Sequence, residues 1–293
     1  MDKPSRSPLI NWGIFIILSV IWGSSFILMK EGMKSLNAWQ VASIRIFSAG
    51  MVLLPITLRQ LRSIPRKDLP RIFLSGMLGT FIPAYLFCLA ETKLDSGVAG
   101  ILNALTPLFT ILIGAIFFQS KIPLQKWLGV LVGFTGLVLL VTAGKNVRLS
   151  NMGYSAYIIF ATICYGINVN MVSRHLKHIP SLMLASFAFG LLIIPSGLIL
   201  LFTGYTQQAA IDGFWYSTGA SAVLGIFGTA VASVLFYMLM KRAGPLFASM
   251  VTYGIPFVAL FWGFLAGETI TTIQIACLGI ILVGVYLANK PRR

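Results

Sequence analysis

Long runs without a single Lys, Arg, Asp or Glu alternate along this chain with short clusters that hold nearly all of its charge. Nine such runs reach 18 residues or more: 7–29, 72–90, 96–120, 127–144, 149–173, 179–211, 213–240, 243–267 and 269–289. A tenth, roughly 37–59, ends at Arg59 and is interrupted within only by Arg45. About 20 apolar residues at 1.5 Å rise cross the roughly 30 Å hydrocarbon core of a bilayer. The pattern therefore predicts an all-α integral membrane protein with ten transmembrane helices.

Composition closes off the alternative that 293 residues would otherwise permit, two soluble domains. A soluble domain carries about 25% charged residues; this chain has 10%, with 57% apolar, too few polar groups to cover a water-exposed surface of this size. The remaining polar sequence amounts to short loops, which leaves no room for an attached catalytic or nucleic-acid-binding domain. Cys88, Cys164 and Cys277 all fall inside apolar runs without metal-ligand spacing and read as small core hydrophobes. No phosphate-binding P-loop occurs, and neither a metal nor a cofactor is expected. The first run follows Lys3 and Arg6 but ends in Met29-Lys30-Glu31 with no small-residue cleavage site, so it reads as an uncleaved helix.

The net charge of +15 changes meaning once the charges are placed. With both termini in the cytoplasm, sixteen basic residues fall on the cytoplasmic side, among them Arg59, Arg62, Arg66, Lys67, Arg71, Arg174, Lys241 and Arg242. Five (Lys30, Lys34, Lys93, Lys145 and Arg148) fall outside, and Arg45 stays within a span. The positive-inside rule favours this orientation in a cell inner or plasma membrane, and the excess charge faces anionic lipid rather than nucleic acid. Nine or eleven spans would put Lys290-Pro-Arg-Arg293 on the wrong side.

The chain also repeats itself. Sliding residues 72–119 by 149 positions aligns Gly76 with Gly225, Gly79 with Gly228, Thr80 with Thr229, Pro107 with Pro256 and Gly114 with Gly263. At an offset of 143, Trp22-Gly-Ser-Ser25 meets Tyr165-Gly-Ile-Asn168. Two copies of five helices follow, 1–147 and 148–293. Five is odd, so the second copy enters the membrane upside down. The loop charges agree: Glu91, Lys93 and Asp95 correspond to Lys241 and Arg242, while Lys121 and Lys126 correspond to Glu268. Inverted repeats of this kind belong to secondary transporters, which bind substrate near the midplane and rock between two openings.

Four segments resemble EamA-type carriers of the drug/metabolite transporter superfamily. They are Trp22-Gly-Ser-Ser-Phe26, Arg45, Asn103-Ala-Leu-Thr-Pro-Leu-Phe-Thr110 and Gly254 to Glu268. The resemblance covers essentially the whole chain in two copies. One position departs from it: Gln119 stands where the first copy's helix-end Gly-Glu turn would lie, and only Glu268 keeps the acid. What the resemblance implies is a ten-helix inverted-repeat fold that exports small metabolites, often amino acids.

Polar residues inside a bilayer are costly and mark function or packing. Trp22 and Ser25 share one helix face, and Tyr165 and Asn168 repeat it. They form either two related substrate walls or interhelical contacts worth about 0.6–2 kcal/mol each. Asn103 and Thr252 coincide one turn before Pro107 and Pro256, whose missing N–H groups free a carbonyl and make each proline a candidate hinge or a static kink. Tyr85 and Tyr253 either line a cavity or bury a bonded hydroxyl. Arg45 either attracts an anionic substrate group or pairs with Glu31 or Glu91. Glu91 and Glu268 sit at helix ends, where solvation is expected to make them ordinary. With no acid near a span centre, the cavity suits a neutral or zwitterionic solute better than a lipophilic cation, whether by facilitated diffusion or by proton antiport through Glu91.

Other classes fit less well. A membrane enzyme needs a catalytic constellation that is not evident here. A flippase for lipid-linked or other large amphipathic substrates remains the alternative, and a channel lacks its charged ring or filter loop. The partners expected are a small molecule and the bilayer, with the protein a monomer or a homodimer; Gly129-x-x-x-Gly133 suits either a dimer face or packing within the bundle. Cysteine labelling is expected to place the 91–95 and 241–245 loops on opposite sides of the membrane. Labelling from one side alone would remove the inverted repeat.

Overall fold

The structure, a computed structural model, describes residues 8–94, 96–142, 153–258, 261 and 271–290. Every regular element among them is helical. In chain order these are α1 (Pro8–Gly32), α2 (Ala38–Arg59), α3 (Leu69–Gly76), α4 (Ile82–Glu91), α5 (Ser96–Asn103), α6 (Thr106–Phe117), α7 (Leu124–Thr142), α8 (Ser155–His175), α9 (Ser181–Phe202), α10 (Phe214–Gly225), α11 (Ala232–Ala243), α12 (Pro245–Ser249) and α13 (Thr272–Asn289). Five-residue Met77–Phe81 joins α3 to α4 and Ile226–Val231 joins α10 to α11, both as π-helical turns inside continuous helices. Six helical stretches are long and apolar enough to cross a membrane: Pro8–Gly32, Ala38–Arg59, Arg66–Glu91, Ser155–His175, Ser181–Phe202 and Phe214–Ala243. Four shorter apolar helices accompany them. The protein is an all-α, multi-pass membrane protein.

Two of the expected spans are not single helices. Residues 96–120 divide into α5 and α6 around Ala104 and Leu105. Residues 243–267 begin as α12, pass through a 3₁₀ turn at Met250–Tyr253 and restart as a helix at Ile255 after Gly254. Residues 259–260 and 262–270, Glu268 among them, lie outside the described residues. A proline follows both breaks: it has no N–H to give and fits the first turn of a new helix, although Pro55 and Pro195 lie within unbroken α2 and α9. Pro107 is the second residue of α6 and Pro256 the second after Gly254.

Helices inside a bilayer gain little by hiding apolar groups from one another, so close packing and hydrogen bonds hold them. Glycine permits the closest approaches. On α13, a Cβ at Gly284 would sit 2.3 Å from the backbone nitrogen of Gly133 on α7, and one at Gly129 would sit 2.4 Å from that of Ala288. Gly129-x-x-x-Gly133 is therefore spent on packing within the bundle. Helices α2 and α9 meet similarly at Gly50 and Gly190, and Thr57 Oγ1 donates to the Ser186 carbonyl at 2.8 Å. Asn170 Nδ2 on α8 donates to Thr110 O of α6 at 2.9 Å. The turn into α2 is closed by a reciprocal cap, Asn37 Oδ1 accepting from Gln40 N at 2.9 Å and Gln40 Oε1 accepting from Asn37 N at 3.0 Å.

The outward faces carry large apolar side chains such as Leu9, Ile194, Phe202 and Trp215, a surface suited to lipid. At one end of the bundle, buried Asp68 is bound by His178 Nε2 at 3.0 Å and lies 3.6 Å from Arg71. Nearby contacts are polar as well: Lys241 Nζ donates to the Ile179 carbonyl and Arg242 Nε to Asn11 Oδ1 at 3.0 Å.

Replacing Gly284 by Val forces α7 and α13 apart, an overpacking cost of about 1–3 kcal/mol. The apparent melting temperature in detergent is expected to fall. Gly279→Val on the same helix, where a Cβ meets nothing within 4 Å, is expected to leave it unchanged.

Candidate functional site

The two π turns carry the same sequence pattern, Gly-x-x-Gly-Thr, at Gly76–Thr80 and Gly225–Thr229. A π turn closes its hydrogen bonds over five residues rather than four. Thr229 Oγ1 follows that spacing and donates to the Leu224 carbonyl at 3.3 Å. At each turn the second glycine leaves a bare patch of backbone against which a polar side chain of another helix rests. A Cβ at Gly79 would lie 2.3 Å from Asn168 Nδ2, and one at Gly228 would lie 2.8 Å from Ser25 Oγ. Trp22 Nε1 donates to the Gly228 carbonyl at 3.1 Å. Asn168 Oδ1 accepts from Ser75 Oγ at 2.7 Å, and Ser75 in turn lies 3.2 Å from the Tyr237 hydroxyl. Thus α1 seats on the 226–231 turn and α8 on the 77–81 turn.

Between these contacts lies a cavity of about 970 Å³, counted out to its open mouth. Seven of the residues expected from sequence line it together: Trp22, Ser25, Arg45, Asn103, Tyr165, Asn168 and Thr252. Aromatic rings form two of its walls, Trp22 with Phe236 (centroids 5.4 Å apart) and Phe87 stacked on Tyr165 (6.3 Å). Asn103 and Thr252 arrive there through the helix breaks. Each stands four residues before a proline, so each loses the amide that an unbroken helix would offer its carbonyl. Thr106 Oγ1 takes over that role for Asn103, donating to its carbonyl at 2.6 Å.

Among the described residues lining the cavity, Arg45 is the only charged one. Its Nε donates to Thr229 Oγ1 at 2.6 Å, and among the described residues no carboxylate lies within ion-pair distance of it. The pairing expected with Glu31 or Glu91 is therefore not made. Glu31 is taken by Lys34 at 2.5 Å, and that bond holds the Lys34 ammonium above the ordinary lysine range. Glu91 departs from expectation too. Although it ends α4, it is only 7% exposed; Ala90 and Leu94 beside it in sequence belong to a buried cluster with Ala99 of α5 and Ile158 and Ala161 of α8.

Besides Glu91, four expected residues stand away from the lining. The Tyr85 hydroxyl is buried 2.6 Å from Ser43 Oγ, and its ring packs on Phe81 and Trp39. Tyr253 is fully buried and donates to the Val130 carbonyl at 2.8 Å. Pro107 and Pro256 shape the helix starts beside the cavity without facing it.

The profile of the EamA-like transporter family matches residues 11–142 and again 152–290. The chain belongs to the EamA-like transporter family. Along nearly its whole length this EamA-like chain is similar to an uncharacterized transporter of Archaeoglobus fulgidus, 26% identical over 96% of this chain and 99% of that protein. It also resembles the uncharacterized inner membrane transporter YedA of Escherichia coli K12, 27% identical over 97% and 92%. A probable amino-acid metabolite efflux pump of Salmonella typhimurium is 22% identical over 93% and 92%. One protein crystal structure shares the fold, with a TM-score of 0.73 at 17% identity over 96% of this chain and 97% of that one.

Several lining residues of this EamA-like transporter are not singled out by sequence: Gly79, Thr80, Gly228, Thr229, Phe87, Phe236 and Tyr237. The duplicated Gly-x-x-Gly-Thr is a signal for the first four, legible as a mark of repetition but not as a wall. Thr229 links the Arg45 guanidinium to a π turn, and removing its hydroxyl strands a guanidinium donor. Thr229→Val is expected to lower stability by about 1–3 kcal/mol, read as a lower melting temperature in detergent, whereas Thr229→Ser retains the bond and melts close to wild type.

Proposed function

We propose that this protein is a ten-helix secondary transporter that exports small neutral or zwitterionic metabolites, amino acids or close relatives of them, across an inner or plasma membrane. It works by alternating access between two inverted halves, residues 1–147 and 148–293, with both termini cytoplasmic. The observation that carries this reading is the pairing of α1 with one π turn and α8 with the other around a single cavity. Each half contributes its first long helix and its π turn, and each helix rests on the opposite half's turn. Sliding of these two seats would open the cavity to one side while closing it to the other.

The lining supports the substrate class. Aromatic walls, hydroxyls and two carboxamides surround one guanidinium. A lipophilic cation would meet Arg45 with no carboxylate on the described walls to offset it, whereas a zwitterion places its carboxylate on that cation and its side chain against the rings. The name of the Salmonella typhimurium relative, a probable amino-acid metabolite efflux pump, points to the same class.

Purified protein in liposomes, loaded with one unlabelled amino acid from a panel and diluted into its labelled form, is expected to show counterflow. Trp22→Ala, Asn103→Ala and Tyr165→Ala are each expected to lower the rate tenfold or more while the folded yield stays level. Full counterflow with all three replaced would refute the site. A preference for lipid-linked sugars over free amino acids would replace the substrate class with that of a flippase.

A further inference from the structure

A second cavity, about 660 Å³ counted out to its open mouth, lies where α6 and α8 end and α12 begins. It is separate from the site described above, for the two linings share no residue. Both are nevertheless strung along the same three helices. On α6, Thr106, Thr110, Gly114 and Phe118 recur every four residues on one face. Thr106 lines the central cavity and Phe118 the second, while Thr110 and Gly114 between them are buried. On α12, Ser249 lines the first and Pro245, one turn earlier, the second; on α8 the change comes between Val169 and Asn170. Helix α6 belongs to the first repeat and α8 and α12 to the second, so the seam joining the cavities runs between the halves.

Asn170 stands on that seam. It is only 6% exposed, and its Nδ2 donates to the Thr110 and Gly166 carbonyls at 2.9 Å each. A Cβ at Gly114 would lie 2.8 Å from its Oδ1, which accepts from no donor among the described residues. Beyond it, Arg174 is the only charged residue among the described residues lining the second cavity. Its Nη1 donates to the Phe118 carbonyl at 2.7 Å; its other N–H groups, and the hydroxyls of Ser120 and Ser173, have no partner among the described residues.

Gln119 keeps that charge uncompensated. The second repeat carries Glu268 at the matching position. An acid at this rim would offset the guanidinium's field, and a carboxamide does not. The Gln119 backbone is left-handed, with φ 50°, and Ser120 N closes the turn on the Gly114 carbonyl at 2.9 Å. Two helix C-termini also meet here. Last-turn carbonyls lack donors within their own helix, and each such end carries roughly half a negative charge. A guanidinium flanked by carbonyls complements a solute that bears a carboxylate and an ammonium close together.

We propose that the second cavity is a loading site for the transported solute, where a zwitterion sets its carboxylate on Arg174 and its ammonium against the ends of α6 and α8. The proposal rests on the transport reading above and adds the step that precedes the central cavity. On the orientation given there, this mouth opens to the cytoplasm, where a solute for export enters. Asn170 is the partition: sliding of α8 against α6 parts its bond to Thr110, and the solute passes along the face from Gly114 to Thr106.

Ser173→Cys puts a thiol in this cavity, and its reaction with a maleimide is timed on purified protein in detergent. The chain without Ser173→Cys supplies the background, since Cys88, Cys164 and Cys277 are buried. Saturating L-leucine, L-threonine or L-phenylalanine is expected to slow labelling fivefold or more. The amines of the same side chains, which lack only the carboxylate, are expected to leave the rate unchanged. Protection is expected to persist in Trp22→Ala and to disappear in Arg174→Gln and in Gln119→Glu. Protection by the amines, or equally by inorganic phosphate, overturns the zwitterion assignment. Protection lost in Trp22→Ala assigns the effect to the central cavity and overturns the site. Should Arg174→Gln not be recovered folded, Gln119→Glu decides, and undiminished protection there overturns the proposal. Counterflow without protection removes the loading site and leaves the transport reading standing; absence of counterflow and of protection with every amino acid removes both.

Discussion

A peptide group inside hydrocarbon has no water to turn to, so each N–H and C=O must find its partner within the protein. That constraint makes plain α-helix the default for every span and makes each departure from it informative. Four departures stand out: the π turns at Met77–Phe81 and Ile226–Val231 and the breaks before Pro107 and Pro256. Residues of all four border the same cavity. Irregular backbone needs polar company, and a cavity lined by hydroxyls and amides supplies it. The freed Asn103 carbonyl takes the Thr106 hydroxyl, and the Gly228 carbonyl takes the Trp22 indole. Site and irregularity are thus two aspects of one arrangement.

The same constraint separates what the amino-acid order discloses from what it conceals. Spans are legible because a charge in hydrocarbon is costly, so a run of about 20 residues without one marks a crossing. Trp22, Ser25, Tyr165 and Asn168 are legible for the related reason that polar groups at that depth must face inward. The breaks are not. A proline announces a lost hydrogen bond, but whether the helix bends or parts depends on what lies beside the freed carbonyl, and that is tertiary. Tyr85 and Tyr253 cannot be told from cavity residues by sequence, since a phenol deep in a membrane finds a partner in either setting. Glu91 looks solvated in the sequence because position at a helix end says nothing about the neighbours that pack over it. Glycine hides best of all: Gly79 and Gly228 build walls by having no side chain, leaving only their repetition to notice.

Charge is distributed with similar economy. One guanidinium in the lining, anchored by a hydroxyl rather than neutralised by an acid, keeps most of its field available to whatever enters. In a site shielded from bulk water such a field acts over several ångströms with far less attenuation than at a surface. On the function proposed above, that field selects solutes that present a carboxylate over those that are only cationic. Aromatic rings beside it accept varied side chains without demanding any one hydrogen-bond pattern, which suits a carrier serving a class of solutes more than a single compound.

The bond from Trp22 to Gly228 joins residues 206 positions apart. At a synthesis rate of about 5–20 residues per second, the acceptor leaves the ribosome about 10–40 s after the donor. For that interval the indole N–H and the Ser25 hydroxyl wait beside a surface that does not yet exist. Assembly of this protein therefore contains an interval in which the early helices stand without their partner surface, and the cavity is complete only once synthesis has passed Ile255.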